Sequence, residues 1–290
     1  MRRGPIVFCT RDHMGTLKDK LSLTKNASEI TGRTVEVVGL WGSSKTLLAA
    51  QAAEALDASL LYVAPGRLEA EAAHEDFQSF SGTDKCVLLP AWEVLPTDAM
   101  APADDIVAER MNALNALASA REAKRPVFAS LSVRGLLQRV VNRDHLLKDS
   151  VTLKTGEEHD LEELTQKLVK LGYRRELMVE ERGHMSVRGG IFDVFPISAE
   201  LPYRIEFFGD EIESIRVFEP ETQRSIETVT TAHILPRSEK ELVFEDATTD
   251  AATNTVFDYL PDRFVLVVDE PLTVKETADA LEDRFGDSPY

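Results

Sequence analysis

An octapeptide one residue short of a phosphate-binding loop constrains this chain more than any other feature. Gly39-Leu40-Trp41-Gly42-Ser43-Ser44-Lys45-Thr46 follows the apolar run Val35-Glu36-Val37-Val38 and leads into Leu47-Leu48-Ala49-Ala50. The pattern G-x-x-x-x-G-K-[ST] requires glycine just before the lysine, so that the backbone can bend around phosphate and aim its N–H groups inward. That place is Ser44. Strand, loop and helix stand in the right order, which predicts the scaffold of a nucleotide-binding domain. In the working version of this loop Lys45 reaches the β- and γ-phosphates and Thr46 ligates Mg²⁺. The alternative is a relic loop that merely opens a helix, with the Ser44 side chain standing where phosphate would sit.

A second half of such a site lies far downstream. Phe264-Val265-Leu266-Val267-Val268-Asp269-Glu270 is an apolar strand ending in two acids. In a Walker B strand the aspartate contacts Mg²⁺ and the glutamate polarises water. The alternative is an acidic pair that caps the helix after Pro271. The distance between the two motifs predicts a domain inserted between two halves of one fold.

The patterning agrees. From Val35 to Val140 apolar strands alternate with helices, as at Ser59-Leu60-Leu61-Tyr62-Val63-Ala64 and Asp104 to Lys124. Solid apolar strands between helices predict a parallel sheet covered on both faces. From about Val151 the texture changes to one helix and then short alternating segments broken at Arg182-Gly183, Gly189-Gly190, Pro196 and Gly209-Asp210. That predicts an antiparallel, hairpin-rich α+β piece. Residues 1–31 read as a polar, partly helical extension. The expected domains are then 32–129 and 221–290 as the two parts of one α/β domain, with 130–220 inserted between them.

Composition removes several function classes. The net charge of −17 opposes broad contact with nucleic-acid phosphates. Two cysteines without CxxC spacing and six scattered histidines indicate neither a disulfide framework nor a metal site. No apolar stretch is long enough to cross a bilayer and no signal peptide is evident, so the expected compartment is the cytoplasm. No catalytic residue is assigned. Helicase-type ATP hydrolysis takes an arginine from a second motor domain, for which this chain has no room. The expectation is no cofactor, with Mg²⁺-ATP left open as a weak ligand.

Binding is expected in the insert. Gly183-His184-Met185-Ser186-Val187-Arg188-Gly189-Gly190-Ile191-Phe192-Asp193-Val194-Phe195-Pro196 puts an arginine at a glycine-rich turn beside aromatics, and Arg174 and Arg175 precede it. Arginine and aromatics on a rigid sheet are the composition of protein-interface hot spots. The alternative is that the phenylalanines are core and the arginines pair with Glu180, Glu181 or Glu206.

The segments Ser186 to Pro196, Tyr203-Arg204-Ile205-Glu206-Phe207-Phe208-Gly209-Asp210-Glu211-Ile212-Glu213-Ser214-Ile215-Arg216 and Thr222-Gln223-Arg224-Ser225 resemble the module shared by the excision-repair protein UvrB and the transcription-repair coupling factors, the UvrB/Mfd family. The resemblance runs from about Val35 to the C-terminus. Ser44 in the loop, and the direct passage from Leu89-Pro90-Ala91-Trp92-Glu93-Val94-Leu95-Pro96-Thr97-Asp98 to Pro102 without a long tyrosine-rich hairpin, are similar to the Mfd branch. The resemblance implies a degenerate RecA-like domain carrying the vestigial residues Gly39, Gly42, Ser44, Lys45, Thr46, Asp269 and Glu270. It also implies an inserted domain that binds the repair protein UvrA through Arg175 and Arg188, with Arg174, Phe192 and Phe195 as further contacts. A third family arginine falls on Ser186. The implied partners are UvrA and, if the chain is a fragment, the remainder of a coupling factor with its translocase and RNA-polymerase-binding domains. No membrane or direct nucleic-acid contact is implied. A UvrB-like damage-sensing ATPase is the alternative, and autoinhibitory clamping onto absent domains is a third idea.

Overall fold

The computed structural model describes residues 6–10, 34–93, 103–237 and 254–285. The chain begins with β1 (Ile6–Thr10), β2 (Thr34–Val38), α1 (Ser44–Ala55), β3 (Ser59–Ala64), α2 (Arg67–Ser81), β4 (Cys86–Leu88), α3 (Asp104–Glu122), β5 (Phe128–Ser132) and α4 (Val133–Leu137). It continues through α5 (Arg143–Asp149), β6 (Val151–Lys154), α6 (Leu161–Lys170), β7 (Arg174–Arg175), β8 (His184–Arg188) and β9 (Ile191–Val194). Then come β10 (Tyr203–Phe208), β11 (Glu211–Phe218), β12 (Ser225–Val229), β13 (Thr231–Ile234), α7 (Val256–Tyr259), β14 (Phe264–Asp269) and α8 (Pro271–Phe285). Among the described residues no helix is long and apolar enough to cross a membrane.

Two compact units result. The first takes its described residues from 1–101, 113–140 and 253–290; the second takes them from 102–112 and 141–252. The first holds a sheet in the order β2-β1-β14-β3-β5-β4, parallel at every pairing. All six residues of β3 are buried, which is why its sequence is apolar without alternation. Tyr62, Phe77 and Phe128 meet edge to face in the core between sheet and α2. Ala49, Ala50, Ala52 and Ala53 keep the inner face of α1 small, so that helix packs close to the sheet.

Two details of the first unit differ from the sequence reading. Ile6–Thr10, read there as part of a polar extension, forms a central strand whose register runs Ile6↔Leu266 on one side and Ile6↔Thr34 on the other. A five-residue strand flanked by charge carries little periodic signal, and its partner β14 is remote in sequence. The helix expected over 132–140 stops at Leu137, because the Gln138 side chain turns back and takes both backbone groups of Trp92, at 2.8 and 3.0 Å. The rest of the segment compared with the hairpin, residues 94–102, lies outside the described residues, as do 1–5 and 11–31 of the expected extension.

The second unit is built on the sheet β12-β11-β10-β9-β8-β7, antiparallel throughout except for the short parallel edge pair β7–β8. The insert expected over 130–220 stands against a unit whose later stretch is 141–252, with β12 paired to β11 and β13 to β6. Leu164 and Leu168 of α6 enter a core with Met185, Phe192, Ile205 and Ile215 from the sheet. Asp160 caps α6, accepting the N–H groups of Glu162 and Glu163. The β8–β9 turn needs both its glycines. Gly189 has φ +62, and a Cβ on Gly190 would stand 2.7 Å from the Phe207 carbonyl oxygen.

Candidate functional site

In the loop between β2 and α1, Gly39 and Gly42 take the left-handed conformation at φ +75 and +52. Ser44 is the first residue of α1, and its hydroxyl folds back over the loop. Its oxygen accepts the Trp41 N–H at 3.0 Å and its proton goes to the Trp41 carbonyl at 2.7 Å. The Ser44 N–H also donates to that carbonyl, at 3.2 Å. The strand β14 brings Asp269, only 2% exposed, to the Lys45 ammonium, with which it forms an ion pair. The Thr46 hydroxyl lies 2.6 Å from Asp76 Oδ2 of α2 and 2.9 Å from the Ser43 carbonyl, so its one proton is committed. Glu270 follows in the left-handed conformation, φ +50, and its carbonyl receives the Val274 N–H in the first turn of α8. The structure therefore brings Lys45, Thr46 and Asp269 together, and each has a partner from the chain itself.

The arginines of the second unit are placed differently. In β7, Arg174 registers with His184 and Arg175 with Met185, and both arginines are exposed. Alternation along β8 then sets Arg174, His184, Ser186 and Arg188 on one face of the sheet and Arg175, Met185 and Val187 on the other. Arg175 lines an open groove of about 710 Å³ together with Leu161, Val169 and Lys170 of α6 and Val187 of β8. Arg188 is not in that groove. The two arginines expected to act together lie on opposite faces.

Arg188 is half exposed, at 50%, and its Nη2 donates to Asp193 Oδ2 at 2.6 Å. Asp193 is 1% exposed and is gripped a second time by Arg204, through Nε to Oδ1 at 2.8 Å and Nη2 to Oδ2 at 2.9 Å. Arg204 also donates to the Gln223 carbonyl at 3.1 Å, and its guanidinium lies 4.6 Å from the centre of the Phe218 ring. The hydrogen bonding of Arg204 to Asp193 is the main reason its pKa is raised, against an opposing effect of burial. One carboxylate thus serves two guanidiniums, and the cluster keeps a net positive charge whose exposed end is Arg188. The neighbouring Arg216 pairs with Glu206 at 3.0 Å.

Phe192 and Phe195 as partner contacts are corrected here, and the pairing of Arg188 and the place of Ser186 are decided. Phe192 is fully buried in the core and Phe195 is 93% buried beside Val179 and Phe218, because both were needed inside a small unit; neither is a surface contact. Arg188 pairs with Asp193 rather than with Glu180, Glu181 or Glu206. Ser186, where the family carries a third arginine, is 3% exposed and donates to the Leu177 carbonyl at 3.2 Å. Sequence reasoning passed over Asp193, Arg204 and Leu177. Asp193 alternates with core residues in a strand of otherwise apolar type, which was the available signal for a charge with a partner. Leu177 is 90% exposed, and its carbonyl accepts the hydroxyl of Ser186, which stands two residues before Arg188 in β8.

Residues 151–239 match the model of the family described as the UvrB interaction domain. The chain is similar to the transcription-repair-coupling factor of Escherichia coli K12, at 34% identity over 69% of this chain and 17% of that protein. The factor of Myxococcus xanthus is 33% identical over 87% of this chain and 21% of its own length. That of Mycobacterium tuberculosis is 36% identical over 74% and 17%. The matches thus span about a fifth of the length of these relatives. The matched domain falls inside the second unit and contains Arg174, Arg175, Arg188, Asp193 and Arg204. The chain belongs to the UvrB/Mfd family and carries its UvrB interaction domain at residues 151–239.

Proposed function

We propose that this chain is a recruitment module of transcription-coupled repair, which binds UvrA through the Arg188 face of its second unit and does not hydrolyse ATP. The observation that carries the reading is the half-exposed Arg188 guanidinium, held on a buried aspartate within the stretch that matches the UvrB interaction domain. An arginine already oriented loses less freedom on binding, and arginine is among the residue types enriched at interface hot spots. Arg175 and Arg174 extend the cationic surface onto both faces of the β7 edge. In a whole coupling factor the module would link UvrA to stalled RNA polymerase in the cytoplasm, with the translocase supplied by other domains.

The first unit is read as a degenerate RecA-like scaffold. Phosphate binding at such a loop needs inward-facing N–H groups, a free lysine and a hydroxyl available to Mg²⁺. Here the Trp41 N–H is held by Ser44, Lys45 by Asp269 and Thr46 by Asp76. A UvrB-like ATPase would have to undo all three.

The test is a pull-down of purified UvrA by the wild-type chain and by the double variant Arg175→Ala/Arg188→Ala. Retention of UvrA by the wild type alone, with matched thermal melts, is the expected result. Equal capture by a folded double variant would overturn the reading.

A further inference from the structure

We propose that Asp193 and Arg204 are positioning residues for Arg188: the buried carboxylate fixes the direction in which Arg188 presents its guanidinium, and Arg204 fixes the carboxylate. This rests on the UvrA-binding reading of Arg188. Asp193 sits mid-strand in β9, registered between Ser186 of β8 and Arg204 of β10. Its two oxygens are both engaged by Arg204 in a fork, at 2.8 and 2.9 Å, and that geometry leaves Oδ2 a single direction in which to receive Arg188, at 2.6 Å. Arg204 is in turn immobilised from two further sides, by the Gln223 carbonyl and the Phe218 ring. Gln223 is itself fixed: it takes the left-handed conformation, φ +58, and its side-chain amide donates to the carbonyls of Val179 and Pro220. Order therefore passes outward from a turn, through Arg204 and Asp193, to one exposed guanidinium. A flexible arginine loses considerable side-chain entropy when a partner immobilises it, and this chain of contacts removes part of that loss beforehand.

The sign of one substitution separates positioning from bulk charge. Asp193→Asn removes a negative charge beside Arg188. If Arg188 acts only through net positive charge, UvrA binding strengthens; if Asp193 aims it, binding weakens. The experiment is a double-mutant cycle on the full chain, read as affinity for purified UvrA, with Arg188→Ala, Asp193→Asn and the two combined. We expect Arg188→Ala to weaken binding by about 30-fold or more and Asp193→Asn by about 10-fold, while the combined variant is no weaker than Arg188→Ala. Wild-type or tighter binding by folded Asp193→Asn would overturn the proposal, as would an equal Asp193→Asn loss on both backgrounds, the pattern of a merely structural role. Wild-type affinity in Arg188→Ala would instead sink the UvrA reading itself, and the positioning role with it. If Asp193→Asn fails to fold, Arg204→Lys takes its place in the same cycle. It keeps the charge and gives up the fork, with an expected loss of about threefold that must vanish on the Arg188→Ala background.

Discussion

The loop before α1 and the outer face of the β8–β10 sheet use one device to opposite effect. Each sets a cation on an aspartate that is almost wholly buried, Lys45 on Asp269 and Arg188 on Asp193. At the loop the count is one to one, the lysine is 25% exposed, and the adjoining Ser44 and Thr46 hydroxyls are committed to the chain as well. At the sheet a second guanidinium, Arg204, shares the carboxylate, so the group keeps a positive charge and Arg188 keeps half its surface for a partner. The lesson is that a buried partner does not by itself make a cation structural. Charge balance and the exposure left over decide whether it can still act.

Phe192, placed in the core beneath the sheet, should behave as packing and not as contact. Phe192→Ala is expected to destabilise the second unit by about 3–5 kcal/mol in chemical denaturation, and UvrA affinity of the fraction that remains folded should be near wild type. A large affinity loss with unchanged stability would return Phe192 to the interface.

The next effect belongs to the loop. Lys45→Ala leaves Asp269 buried without its cation, and the cost expected is about 1–3 kcal/mol, reduced from a fully buried pair because the lysine is partly in water. Thermal melting should fall by several degrees while UvrA binding stays unchanged. Calorimetric titration of Mg²⁺-ATP should be flat for both proteins. A micromolar, Lys45-dependent heat would show that the loop opens to phosphate after all.

Leu177 sharpens the other side. An exposed aliphatic side chain gains affinity when a partner covers it, in proportion to the apolar area removed from water. Leu177→Asp should weaken UvrA binding by about 3–10-fold without moving the melt; an unchanged affinity would confine the contact to the arginines.

The smallest effect is in pH. Burial lowers the His74 pKa below its ordinary 6.5, against a weaker opposing pull from Glu75. Its folded state therefore favours the neutral ring, and the unfolded chain takes up the proton first. Stability from this group is complete above about pH 6.5 and declines as pH falls below it. His74→Gln should flatten the fall in melting temperature as the pH drops through about 6.5. An unaltered slope would assign the acid sensitivity to other groups.

Much of this was legible in the sequence. The apolar run of β3 and the strand–loop–helix order around Ser44 gave the parallel sheet, because strands buried on both faces must be apolar throughout. The glycine pair at 189–190 located the turn that carries Arg188. What was hidden is what depends on pairing between distant residues. Ile6–Thr10 gains its place from β14, and β13 from β6. The partner of Arg188 was hidden for a related reason: Asp193 is five residues away, but only the β8–β9 hairpin register and Arg204 from the next strand turn it toward the arginine. Phe192 and Phe195 are ambiguous between core and surface in the sequence, since a short strand pattern fixes alternation but not which face is covered.

The most direct test of the central claim is a UvrA binding isotherm for the wild-type chain beside folded Arg188→Ala, taken at low and physiological salt. The account predicts saturable wild-type binding that weakens with salt, and in Arg188→Ala a loss of about 30-fold or more. Superimposable isotherms for the two proteins at both salt concentrations would contradict it.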